Sequence, residues 1–192
     1  AAAAAFAPPT APDTPSVVLA EAGTGTGKTL GYIAPASVWS EKNAGPVWIS
    51  TYTRNLQQQI DQELDHLYPD PETKARQVVI RKGRENYLCL LNLEEVAGRF
   101  TTLQLRNAVG VALTARWVQA TRDGDLGGDF PAWLVDLVGV GATLGLADRR
   151  GECIYSACSH YSRCFVEHSV RKARRARLVV ANHALVMIQA AM

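Results

Sequence analysis

Apolar residues in this chain gather into short dense runs, separated by stretches with a helical beat. The first run is Val17-Val18-Leu19-Ala20, which has no polar interruption and predicts a buried parallel strand. Over residues 28–39 the apolar positions Leu30, Ile33, Ala34 and Val38 recur at helical spacing. Asn43-Ala44-Gly45-Pro46 reads as a turn. Val47-Trp48-Ile49-Ser50 predicts a second strand, residues 55–66 a helix, and Val78-Val79-Ile80 a third strand. This alternation predicts an α/β fold: a parallel sheet with helices on its faces.

The beat changes at Arg84. From there to about Arg175 the pattern is helical with glycine interruptions, and 91–100, 102–121 and 132–146 are the expected helices. A strand signal returns at Leu178-Val179-Val180-Ala181. A helical block between two strands of one sheet predicts an inserted subdomain. The expected plan is a flexible Ala/Pro leader over 1–15, the first part of the sheet domain over 16–83, the insert over 84–175 and a return strand over 176–192. With 192 residues, 47% of them hydrophobic, there is material for one ordinary core and a smaller appendage. No apolar stretch is long enough to span a bilayer, and the alanines at the start lack the basic n-region of a signal peptide. A cytoplasmic location is therefore expected, where cysteines serve as metal ligands more often than as disulfides.

Chemistry enters at Glu21-Ala22-Gly23-Thr24-Gly25-Thr26-Gly27-Lys28-Thr29. Between a strand and a helix, such a run reads as a phosphate-binding loop, with Ala22 in the position usually held by glycine. Ala22 to Thr29 would wrap the phosphates of a nucleoside triphosphate with backbone N–H groups. Lys28 would place a charge on the β- and γ-phosphates, and the Thr29 hydroxyl would ligate Mg²⁺. Lys28 and Thr29 are thus the expected catalytic residues, and a nucleoside triphosphate with Mg²⁺ the expected ligand.

Cys89, Cys153, Cys158 and Cys164 are the second candidate site. Four thiolates can hold a [4Fe–4S] cluster or a tetrahedral zinc ion. Spacings of four and five residues between the last three, with a remote fourth, lean modestly towards the bulkier cluster. His160 and His168 are alternative ligands, and a histidine in the shell would argue for zinc. Unrelated buried cysteines are the bland alternative.

Charge supplies the third. The net charge of +2 divides into +6 over residues 149–192 and −4 over 1–148, which points to a polyanion contact. Val166, Val170, Ala173 and Ala176 would share one side of a helix, turning Arg171, Lys172, Arg174 and Arg175 to water or to a phosphate chain. Thr51, Thr53 and Arg54, at the end of the second strand, are expected donors to nucleic-acid backbone phosphates; a helix cap is the plainer use of Thr53 or Asn55. Tyr87, Tyr155 and Tyr161 lie near the cysteines in sequence and either stack bases or simply pack.

Two further runs complete the pattern: Lys82-Gly83-Arg84-Glu85-Asn86-Tyr87-Leu88-Cys89 and Val179-Val180-Ala181-Asn182-His183-Ala184-Leu185. With the loop, the Thr51–Gln59 run and the cysteine trio, over about residues 17–188, they resemble the DinG-like, XPD-related iron–sulfur DNA helicases of superfamily two. The resemblance implies a RecA-like motor domain with an inserted [4Fe–4S] subdomain ligated by Cys89, Cys153, Cys158 and Cys164. It implies an ATP-driven, monomeric motor moving 5′ to 3′ on single-stranded DNA and opening duplexes at junctions, in settings such as DNA repair. The acidic box expected shortly after Leu185 is not reached before Met192. The expectation is therefore a partial motor that hydrolyses ATP negligibly by itself. Two other readings stay open: a non-catalytic nucleic-acid-binding or redox-sensing iron–sulfur module, and a zinc-containing P-loop enzyme such as a small-molecule kinase.

Overall fold

A computed structural model describes residues 2–8, 16–23, 25–103, 105–139, 143, 145–149 and 151–190. The side chains of Arg54, Phe100, Arg106, Gln189 and Ala190 lie outside the description. The chain divides into two compact units, Ala1–Arg81 with Lys172–Met192, and Lys82–Arg171.

The first unit is built on a three-stranded parallel sheet of order β1-β3-β2, with β1 at Val47–Thr51, β2 at Val78–Arg81 and β3 at Leu178–Asn182. The register pairs Val47 with Leu178 on one side and Val78 with Leu178 on the other. Central β3 is flanked by strands and covered on both faces, so it carries an unbroken apolar run, as buried parallel strands do. Leu178 and Val180 pack with Ile33, Ile49, Ile60, Leu64 and Val78. Val179 turns the other way, onto Val79, Ala173, Ala176 and Trp48. Ile33 belongs to α1 (Lys28–Asn43), and Ile60 and Leu64 to α2 (Arg54–Leu67).

The structure departs from or adds to the sequence reading at three places here. Val17–Ala20 is irregular and open to solvent, with Val17 77% and Leu19 95% exposed. An apolar run makes a strand only where partners take up its N–H and C=O groups, and none of the described strands pairs with it. Ala2–Phe6, within the expected flexible leader, forms a 3₁₀ helix, and Phe6 packs on Trp39 with ring centroids 6.0 Å apart. Residues 9–15 of that leader lie outside the described residues. An unforeseen helix, α3 (Pro71–Gln77), follows α2. Asp70 caps it by accepting from Thr73 N at 2.9 Å, and Pro71 stands where a helix has no use for an N–H.

The second unit is mostly helical: α4 (Leu90–Gly98), α5 (Leu105–Ala120), α6 (Ala132–Val138) and most of α7 (Phe165–Ala173). Leu88, Leu93, Val111 and Leu146 form its core. The Lys82–Cys89 run ties the unit together. Leu88 N donates to Gly124 O at 2.9 Å and Cys89 N to Leu146 O at 2.7 Å. Lys82 pairs with Asp125. Gly124 has φ +66, and a Cβ there would fall 2.3 Å from the Phe165 ring, so only glycine suits the position. The helix expected over 132–146 stops at Val138 because Gly139 takes φ 90; Val140, Gly141, Ala142 and Leu144 lie outside the described residues. In the first unit the return strand leads into α8 (His183–Ala190), capped by Asn182 Oδ1 accepting from Leu185 N at 2.8 Å. No described helix is long and apolar enough to cross a membrane.

Candidate functional site

Both units carry candidate sites. In the first, α1 begins directly at Lys28, and Gly27 before it has φ 71 with no side chain capping the helix. The first-turn N–H groups of such a helix lack intrahelical partners and, with the dipole, favour an anion. Gly25 also takes a positive φ, 75. Two left-handed glycines turn the loop, and Thr26 Oγ1 braces it by donating to Gly23 O at 2.8 Å. Lys28 reaches back across the loop, its Nζ 2.9 Å from Ala22 O. The ammonium and the uncapped helix start therefore belong to one exposed loop. Thr29 follows on α1, and its hydroxyl neighbours the phenol of Tyr32, whose pKa is raised chiefly by burial and lowered in part by Thr29. Thr24 lies outside the described residues.

At the C-terminal end of β1, Thr53 caps α2, its Oγ1 accepting from Leu56 N at 3.2 Å. Thr51 is 4% exposed, and its hydroxyl donates to Ala181 O at 3.4 Å, which turns it into the sheet. Tyr52 between them is 81% exposed, and its ring centroid lies 6.0 Å from that of His183, whose Nδ1 meets Ser50 Oγ. Sequence reasoning missed His183 and Tyr52 as members of this strand-end cluster; the pairing of β1 with β3 brings them together.

The basic stretch departs from its expected helix. α7 ends at Ala173, and Arg174 and Arg175 occupy the turn that follows. Val166, Ala173 and Ala176 are buried as their spacing implies, while Lys172, Arg174 and Arg175 are exposed. Arg171 is engaged, donating to Ser162 O at 3.1 Å and lying 5.9 Å from the centroid of Tyr161.

In the second unit, Cys89, Cys153, Cys158 and Cys164 all line one cavity of about 40 Å³. Each is half-buried and free of disulfides. Cys89 sits just before α4 and Cys164 just before α7, both in extended backbone. Burial raises the pKa of both thiols. Neighbouring backbone N–H groups at the two helix starts, those of Asn92 and Leu91 and of Glu167 and Val166, pull the other way. Cys153 Sγ accepts from Tyr155 N at 3.4 Å. Tyr155 holds a left-handed φ of 50, and the Arg84 guanidinium lies 4.8 Å from its ring centroid. Arg84 in turn bonds Asp148 at 2.8 Å and Glu167 at 3.3 Å, two acids that also border the cavity. Partial burial works against the Arg84 charge, but the Asp148 bond and its charge outweigh it and raise the pKa. Tyr87 is buried and holds Lys82 N and Ser169 at 3.3 Å.

Among the described residues, no three His, Cys, Asp or Glu side chains converge closely enough to hold one ion. The four thiols instead ring a shared space. Four soft thiols with N–H groups beside two of the sulfurs are a donor set of the composition that iron–sulfur clusters use.

No family model matches the chain. It is 34% identical over 174 residues to the ATP-dependent DNA helicase YoaA of Escherichia coli, a match covering 88% of this chain and 25% of that protein. It is 32% identical over 192 residues to the ATP-dependent helicase DinG of Mycobacterium tuberculosis, covering 90% of this chain and 28% of the relative. Over most of its length the chain is similar to one segment of the DinG-like helicases. A further DinG-like protein, the 3'-5' exonuclease DinG of Bacillus subtilis, is 45% identical over 82 residues, which are 41% of this chain and 8% of that protein. The DinG-like chain described here spans about a quarter of the length of the YoaA and DinG relatives it matches.

Proposed function

We propose that this chain is the nucleotide- and cluster-binding part of an ATP-dependent DNA helicase that tracks 5′ to 3′ along a single strand towards a duplex junction. The observation that carries the reading is the shared cavity: thiols as far apart in sequence as Cys89 and Cys164 line one space in a DinG-like chain. The RecA-like half holds ATP·Mg²⁺ at Ala22–Thr29, with Lys28 on the phosphates and Thr29 towards the metal ion. Cys89, Cys153, Cys158 and Cys164 hold a [4Fe–4S] cluster, which when bound supplies a cross-link between distant stretches and a one-electron couple. Thr53 and the backbone at the start of α2 offer N–H groups to a DNA phosphate. Lys172, Arg174 and Arg175 offer charge, and Arg171, already tied to Ser162, contributes least.

Salt titration of single-stranded DNA binding tests the DNA arm. If Arg174 and Arg175 each neutralise one phosphate, replacing both by alanine makes the log–log salt slope shallower by about 1.4, at about 0.7 per contact on a single strand. An unchanged slope would return both residues to the role of solvated surface charges.

A further inference from the structure

Neither the nucleotide loop nor the four-thiol reading gives His160 a task. It lies on the wall of the cysteine cavity, between Cys158 and Cys164 in sequence. Its Nε2 is 2.7 Å from Oε2 of Glu94, on α4. Its Nδ1 is buried and has no hydrogen-bond partner among the described residues. Glu94 does not border the cysteine cavity; it borders a neighbouring groove that His160 also lines, so the imidazole stands in the wall between the two. His168, the other candidate histidine, is exposed and borders neither space.

A carboxylate can only accept a hydrogen bond. The Glu94 contact therefore places the proton of the neutral ring on Nε2 and leaves a lone pair on Nδ1. A buried lone pair without a partner is unfavourable, and the residue that carries it also lines the thiol-rich cavity. An imidazole that gives one N–H to a carboxylate and keeps the other nitrogen bare has the arrangement of a metal ligand oriented from behind.

We propose that His160 is a reserve ligand of the metal centre in this cavity, binding through Nδ1 in place of a thiolate when one cysteine is lost. The inference rests on the reading that the cavity holds a metal centre. The cavity then has five donors for a centre that needs four. No oxidant, reductant or proton transfer is needed: where a cysteine is missing its ligand position would stand open, and the Nδ1 lone pair, which carries no proton, would fill it. Cys158 lies two residues away on the same turn, closed by Tyr161 N donating to Cys158 O at 3.0 Å, and is the thiol chosen for the test.

The test compares anaerobically purified full chains: wild type, Cys158→Ala, His160→Phe, Cys158→Ala with His160→Phe, and Cys158→Ala with Glu94→Gln. Metal content, circular dichroism and nitrogen hyperfine coupling of the reduced centre are read for each. Wild type and His160→Phe should hold equal metal with no strongly coupled nitrogen. Cys158→Ala should keep its metal and gain that coupling. Adding His160→Phe should remove both, and adding Glu94→Gln should weaken retention against a chelator about 10- to 100-fold. A folded Cys158→Ala chain that loses its metal, or keeps it without nitrogen coupling, overturns the assignment while the wild-type centre stands. A wild type devoid of metal overturns both. Were wild type to hold Zn²⁺, the cluster reading would fail alone, and X-ray absorption of Cys158→Ala would show nitrogen in the shell if His160 is the ligand and only sulfur if it is not.

Discussion

Lys28→Ala is expected to weaken ATP binding by about 10- to 100-fold, the loss of one charge-assisted hydrogen bond worth about 1.5–3 kcal/mol. Lys28 is exposed, and the bond the structure gives its ammonium is the one to Ala22 O. Removing it leaves the core cluster of Ile33, Leu64, Leu178 and Val180 untouched, so thermal unfolding should move by no more than about 0.5 kcal/mol. Calorimetry with ATP and with adenosine separates the two roles open to this lysine. A phosphate-binding lysine affects ATP and spares adenosine. A lysine that merely braces the loop changes stability slightly and discriminates between neither ligand.

Arg84→Leu is expected to destabilise the second unit by about 3 kcal/mol. Arg84 is 28% exposed, but its partners are deeper, Asp148 at 5% and Glu167 at 13%. Taking away the cation leaves two enclosed carboxylates unpaired, and breaking a buried pair in this way costs about 3–5 kcal/mol; the partial exposure of Arg84 puts the figure at the lower end. The contact with the Tyr155 ring adds about 0.5–1 kcal/mol and also backs a residue held at φ 50. Urea titration of Arg84→Leu, Asp148→Leu and the double variant measures this. The double variant should be less destabilised than the sum of the singles, because each single strands the other's charge. Strict additivity would mean that the guanidinium and the Asp148 carboxylate do not depend on each other.

The sheet was largely legible because its strands are short apolar runs whose position in the chain left little choice. Leu178–Ala181 reads as fully buried, and it is the middle strand. The same logic misled at Val17–Ala20. Hydropathy reports that a segment can be buried, whereas strand formation also needs a neighbour with free backbone groups. α3 carried a readable start, Asp70-Pro71-Glu72, but its seven residues are too few for a periodic signal. The basic stretch reads as one continuous helix, because alternation of apolar and charged positions continues past Ala173 into the turn where the helix has already ended.

At the sites, what sequence showed was local and what it missed was remote. The loop from Gly23 to Lys28 is a contiguous run whose backbone geometry follows from its glycines. The Thr51 hydroxyl looked available from its place at a strand end, but pairing of β1 with β3 turns it onto Ala181 O. Arg84 meets Asp148 and Glu167, and His160 meets Glu94, across separations that no short pattern encodes. Those contacts exist because the Lys82–Cys89 run threads the second unit and hydrogen-bonds to Gly124 and Leu146.

Elemental analysis with visible absorption of the anaerobically purified chain is the most direct measurement of what the four thiols hold. About four irons and four acid-labile sulfides per chain are expected, as one [4Fe–4S] centre requires, with a broad visible band that bleaches on reduction. A colourless chain carrying one Zn²⁺, or no metal, would contradict a cluster-bearing helicase motor and leave a DinG-like nucleotide loop beside a different kind of centre.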